Sequence, residues 1–127
     1  MEFAKELLPK GGSLNPRFLK ENAYRFSNAK RNNERFGGFT TVYSAGLFDY
    51  INTSQLTKIV GGLWESLVDR GMLILPFKDK LRYETFDYHW LVKWDAFFQR
   101  DQNEFVDICR RAGIPEDSIS TERDDVW

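Results

Sequence analysis

The chain of 127 residues is predicted to be an α/β protein, and three observations predict it. Residues 39–44 (FTTVYS) read as a β-branched, apolar strand that breaks into the small residues Ser44-Ala45-Gly46. A helix signal follows, in which Leu56, Ile59, Val60, Leu63 and Leu67 repeat at helical spacing. Met72-Leu73-Ile74-Leu75 is then a continuous apolar run, the pattern of a strand covered on both faces in a parallel sheet. Strand, helix and strand in this order make a βαβ unit, for which a right-handed crossover is preferred.

Each element has its own local signal. Residues 2–8 (EFAKELL) place Phe3 and Leu7, with Ala4 and Leu8 beside them, on one helical face, and Pro9 ends that helix. Residues 17–21 alternate in part and form a strand candidate. Residues 22–33 are polar and weakly helical, and Gly37-Gly38 punctuates before the next strand. In the central helix Asn52 suits the N-cap and Gln55 the third position of a capping box. Asp69-Arg70-Gly71 is expected to close that helix, with Gly71 in a left-handed position. Gly61 and Gly62 each cost about 1 kcal/mol relative to alanine in mid-helix, which close packing against a strand would offset.

Beyond Pro76, residues 81–98 carry Tyr83, Phe86, Trp90, Trp94 and Phe97 on one helical face. Asp101 with Glu104 makes a second capping-box start, Phe105, Ile108, Cys109 and Ala112 form an apolar face, and Gly113 stops the helix before Pro115. Residues 119–123 suit a final strand. The chain reads as one domain in three stretches: 1–38, the βαβ unit 39–77, and 78–127.

A chain of this length buries roughly two-thirds of its unfolded surface, and 42% hydrophobic residues fit a globular core. The net charge of -1 gives no global field to recruit nucleic acid or an anionic membrane. Lys30, Arg31 and Arg35 form a local basic cluster interrupted by Glu34, read as a solvated loop with a phosphate-binding patch as the alternative. The single cysteine, Cys109, cannot form an internal disulfide and reads as a core thiol. No run approaches the ~20 apolar residues of a membrane span, and no signal peptide is evident, so a cytoplasmic location is expected. No cluster has metal-ligand spacing.

Four segments, in order, resemble the class I S-adenosylmethionine-dependent methyltransferases, with their Rossmann-like sheet. Arg17-Phe18-Leu19-Lys20-Glu21-Asn22-Ala23 looks like that family's third strand and the turn after it. Val42-Tyr43-Ser44-Ala45-Gly46-Leu47 looks like the fourth strand and its exit, and Asp69 to Leu75 like the fifth strand with one of its preceding glycines kept. Trp94-Asp95-Ala96-Phe97-Phe98-Gln99-Arg100-Asp101 is similar to the aromatic segment before the last helix. Ser-Ala-Gly-Leu-Phe-Asp-Tyr, residues 44–50, is particularly similar to a bacterial subgroup making methyl esters of hydroxy fatty acids.

The resemblance implies a partial fold of about three parallel strands, the C-terminal portion of such an enzyme. The family's glycine-rich first strand, its second strand with an acidic end, and its last strand are missing. In the family's sheet order the first two strands lie between the third and the fourth. Their absence would leave a gap of roughly 14 Å where one spacing of ~4.8 Å belongs, so the chain should not adopt the parent arrangement alone.

The residues the resemblance places at the cofactor, S-adenosyl-L-methionine, are Asn22, Ala23, Ser44, Ala45, Gly46 and Leu47. Asn22 matches an adenine-recognising turn, or is an ordinary Asx turn. Gly46 either admits the cofactor closely or relieves a tight turn. Asp49, Tyr50 and His89 are the catalytic candidates, each with a packing alternative; His89 is the sole histidine and sits among aromatics. Tyr83, Trp90 and Trp94 would wall a small or apolar acceptor such as an acyl chain, or else form core or subunit interface. The expected activity is methyl transfer by the complete enzyme and none by this chain alone. A non-catalytic dimerisation or interaction module is the competing expectation, and the expected partners of the chain are a second copy of itself or a missing N-terminal half.

Overall fold

The computed structural model describes residues 16–82 and 97–123. The helix expected at residues 2–8 and the aromatic helix expected over 81–98, with Tyr83, His89, Trp90 and Trp94, lie largely or wholly outside the described residues. Within them the protein is α/β: two parallel strands with flanking helices, compatible with a partial Rossmann-like fold. Strand β1 (Phe39–Tyr43) and strand β2 (Leu67–Ile74) pair in parallel and are joined through helix α2 (Thr53–Trp64), the predicted βαβ order.

The expected third strand is not formed at residues 17–21, which are irregular up to Asn22. The weak helix expected over 22–33 becomes two pieces because two asparagines cap in succession. Asn22 Oδ1 accepts from Tyr24 N and starts a 3₁₀ turn, Ala23–Ser27; Asn28 Oδ1 accepts from Arg31 N and starts α1, Ala29–Phe36. The basic cluster therefore lies on a helix and not on a loop.

Helix α2 begins as its sequence predicts. Asn52 Oδ1 accepts from Gln55 N at 3.0 Å, and the two side chains bond at 2.9 Å. Leu56, Ile59, Val60 and Leu63 are buried. The helix ends at Trp64, five residues before Asp69. Ser66 N–H closes onto the Leu63 carbonyl, while Ser66 Oγ and Asn32 Nδ2 both donate to the Gly62 carbonyl. With these terminal carbonyls satisfied, the chain turns into β2, so Leu67 leaves the helical stripe for a strand. Asp69, Arg70 and Gly71 then lie inside β2. Between the pairs Phe39–Leu67 and Thr41–Met72, β1 passes through Thr40 alone while β2 passes through Val68, Asp69, Arg70 and Gly71. The left-handed residue of this bulge is Arg70, at φ 60, and not Gly71.

The pair of glycines in α2 serves close approach, but not to a strand. Gly62 lies against the backbone of Phe26 and Ser27 in the 3₁₀ turn, and Gly61 against Ala112. Helix α3 (Gln102–Arg111) starts with the full Asp101/Glu104 capping box, and Gly113 follows it at φ 89. Its Phe105, Ile108 and Cys109 join Phe48, Ile51, Ile114 and the α2 stripe in one core. Val42, Leu73, Leu75 and Phe77 pack against that core from the sheet side, with Phe77 stacked on Phe105 at 4.6 Å. The expected final strand at 119–123 is not formed: a 3₁₀ turn (Glu116–Ser118) leads into irregular chain.

One expectation about the sheet is reversed. Among the described residues the run Met72 to Leu75 is covered on one face only. Leu73 faces the core, whereas Met72 is 58% exposed and Ile74 40%. Their partners across the pair, Thr41 and Tyr43, share the outer face, and Tyr43 is 64% exposed. A parallel sheet is ordinarily covered on both sides.

Candidate site at the exit of strand β1

The carboxyl end of β1 turns sharply at Ser44-Ala45-Gly46. Ser44 N–H donates to the Ile74 carbonyl at 3.2 Å, extending the ladder past Tyr43. Its side chain is buried, and Ser44 Oγ has no hydrogen-bond partner among the described residues. A buried hydroxyl without a partner is uncommon and calls for an explanation. Gly46 is left-handed, φ 72 and ψ -1, which accounts for a glycine there. A Cβ at that position would meet nothing within 4 Å, so the turn is also open to solvent. Ala45, Gly46 and Leu47 are exposed.

A 3₁₀ turn, Leu47–Tyr50, follows and sorts its side chains: Phe48 and Asp49 point inward, Leu47 and Tyr50 outward. Tyr50 meets Phe97 edge-on, with centroids 5.8 Å apart. Phe98 N–H donates to the Asp49 carbonyl at 2.7 Å, tying residues 97–100 to the turn.

Arg100 fastens this junction, a role its sequence context does not announce. It is 4% exposed, and its guanidinium donates to the carbonyls of Phe48 at 3.0 Å, Phe98 at 3.3 Å and Ile51. It also lies over the Phe98 ring at 5.7 Å. The signal was an arginine immediately before a capping box. Such a residue reads as solvated unless the fold is known to bring buried carbonyls of a 3₁₀ turn and its flanks beside it.

Burial pushes the Asp49 carboxyl up from its ordinary value, against the opposing pull of the Lys78 and Arg100 charges and the Lys78 N–H. Burial pushes Arg100 down, while the Asp49 and Glu104 charges oppose it. Asp49 and Arg100 thus sense one another without an ion pair. The turn sets a buried carboxyl of raised pKa within the fields of the Lys78 and Arg100 charges. Cys109 sits on the core face of α3 and burial pushes its thiol up, which leaves it inert.

An open cleft of about 440 Å³ runs beside this junction between the start of α2 and α3. Thr53, residues 97–100, Glu104 and Ile108 are among its walls. Ser44, Ala45 and Gly46 do not line it. Asn22 and Ala23 are not joined to the β1 exit by any hydrogen bond among the described residues, and the Asn22 side chain is spent on its own cap. Ser44 to Tyr50 thus form one continuous turn, to which no hydrogen bond among the described residues ties Asn22 or Ala23. Among the described residues no group of His, Cys, Asp and Glu could hold a metal ion, and no helix is long and apolar enough to cross a membrane.

No family model, curated protein or solved structure matches the chain.

Proposed function

We propose that this chain is the part of a class I S-adenosylmethionine-dependent methyltransferase that carries the exit of the fourth strand. The observation that supports the reading most is the β1 exit of a parallel βαβ unit. There a buried Ser44 hydroxyl lacks a partner among the described residues and Gly46 leaves the backbone open. Ligands of open α/β sheets sit at the carboxyl ends of strands, where small residues let the backbone come close. The residues fit the methionine end of the cofactor: Ser44 Oγ would take a polar atom, and Ala45, Gly46 and Leu47 would border it. They do not extend to its adenine, because Asn22 is committed to its own turn. When bound, S-adenosylmethionine supplies the electrophilic methyl group.

The chain's own contribution is placement. Arg100 keeps the Leu47–Tyr50 turn rigid, and Asp49 and Tyr50 hold the exit in shape. Methyl transfer is governed chiefly by alignment of acceptor and methyl and by exclusion of water. A carboxylate acceptor on a small or apolar molecule would need no general base. Isothermal titration of the chain with S-adenosylmethionine tests the reading. Weak binding that is lost in Gly46→Val, with no turnover, is the expected result. Submicromolar binding that is indifferent to Gly46→Val and Ser44→Ala would overturn this site.

A second reading has its own observation. The outer sheet face, with Tyr43, Met72, Ile74 and Val68 exposed, suits a non-catalytic interaction module that associates through this face. Light scattering separates the two. A strict monomer in dilute solution counts against the module, and a dimer abolished by Tyr43→Lys counts for it.

A further inference from the structure

The cluster around Glu21 carries an inference independent of the β1 exit. Between Pro16 and Phe36 the basic residues are Arg17, Lys20, Arg25, Lys30, Arg31 and Arg35, against Glu21 and Glu34, in a chain whose total charge is -1. Residues 16–36 thus carry a net charge of +4 and the remainder -5. Lys30 and Glu34 pair with each other along α1 at 3.9 Å. Glu21 is left to serve three guanidiniums: Arg35 at 2.6 Å, Arg31 at 2.9 Å and Arg25 at 3.6 Å. Its side chain is only 9% exposed, and the hydrogen bond from Arg31 is the main cause holding its carboxyl below the usual range.

Three guanidiniums on one carboxylate leave an uncompensated charge. One donor, Arg31 Nη1, is buried with no hydrogen-bond partner among the described residues. Buried donors are rarely left so, and guanidinium forks match phosphoryl oxygens in geometry and in charge. A phosphoryl group carries about -1.5 to -2 at neutral pH, which suits what Glu21 leaves over. The cluster is accessible, since the Arg25 side chain is 62% and that of Arg35 43% exposed.

We propose that Arg25, Arg31 and Arg35, gathered by Glu21, form a binding site for a phosphoryl dianion. Glu21 plays two parts: it preorganises the guanidiniums and competes with the ligand for them. Titration of the whole chain at low salt, followed by isothermal calorimetry, tests this with inorganic phosphate and O-phosphoserine as probes. Sodium chloride at matched ionic strength is the control. Saturable binding is expected, roughly tenfold weaker in Arg35→Ala and in Arg25→Ala and roughly tenfold tighter in Glu21→Gln. Tighter binding of O-phosphoserine would assign the phosphoryl group to a partner side chain, and equal binding to a free anion. A chloride response equal to that of phosphate, or binding unchanged in both arginine variants, would overturn the proposal. So would weakened binding in a Glu21→Gln chain whose circular dichroism shows it folded, because a purely structural cluster behaves that way. S-adenosylmethionine binding is expected to be unaffected by all three variants, so the two sites fail separately.

Discussion

Gly62→Ala tests the packing of α2 at its tightest point. A Cβ built on Gly62 falls 2.3 Å from the Phe26 carbonyl oxygen and 2.5 Å and 2.7 Å from the Ser27 carbonyl carbon and Cα. All three are backbone atoms, so no side chain can swing aside. Ordinary contact begins near 3.4 Å, and α2 would have to draw back from the 3₁₀ turn by about 1 Å, a shift of the size that overpacking forces on a backbone. Alanine contributes about 1 kcal/mol through helix propensity, while overpacking costs about 1–3 kcal/mol. The bonds from Asn32 and Ser66 to the Gly62 carbonyl, each about 1 kcal/mol net, would stretch with the same movement. The balance is a loss of about 2 kcal/mol. Gly61 provides the control one residue away. Its Cβ would lie 3.1 Å from the Ala112 carbonyl oxygen, a contact relieved by a few tenths of an ångström, and the propensity gain offsets it to within about 0.5 kcal/mol. Urea unfolding followed by far-ultraviolet circular dichroism reads both. With a slope of about 1–2 kcal/mol per molar, Gly62→Ala lowers the midpoint by about 1 M or more and Gly61→Ala barely moves it. A Gly62→Ala midpoint at or above that of the parent chain, or a larger loss for Gly61→Ala, would refute the steric reasoning.

Arg100→Met takes the charged donor from the carbonyls of Phe48, which keeps the Ile51 N–H, and of Ile51, and a loss of about 2 kcal/mol is expected in urea unfolding; a loss under half of that would mean water replaces the guanidinium. The folded chain holds the Asp49 proton above the ordinary carboxyl value of 3.8, so its contribution is fully present below that value and fades as pH rises through the raised one. Asp49→Asn keeps the neutral form, and thermal melts should show it more stable than the parent chain at neutral pH, with the gap closing in acid; the opposite slope would contradict the burial argument. Arg70 is left-handed without being glycine, a conformation costing about 1–2 kcal/mol. Arg70→Gly should recover about 0.5 kcal/mol once the extra freedom of unfolded glycine is counted, and any measured loss would show that the arginine side chain holds the bulge.

Much of the local structure was legible in the residues because its causes are local. Asn52 with Gln55 and Asp101 with Glu104 place donors and acceptors three residues apart, so the starts of α2 and α3 follow from spacing alone. The spacing of Leu56, Ile59, Val60 and Leu63, and of Phe105, Ile108 and Cys109, determined which faces turn inward. At the site, the break at Ser44-Ala45-Gly46 was visible for the same reason: small residues and a left-handed glycine at the end of a β-branched run.

The remaining features depended on groups far apart in the chain. Asn32 reaches across to the Gly62 carbonyl and Ser66, ends α2 early, and converts Asp69-Arg70-Gly71 from a helix stop into a strand bulge. Residues 17–21 alternate like a strand but pair with none among the described residues, because a strand needs a partner edge that alternation does not specify. Arg100 became the clasp of the β1 exit only when folding set the carbonyls of Phe48, Ile51 and Phe98 around it. The sequence by itself determined the βαβ order, the caps and the core faces, since those rest on neighbours within a helical turn. Tertiary structure alone decided where α2 stops, which sheet face stays bare and which charges go unpaired, since each is a matter of partners that only the folded chain brings within reach.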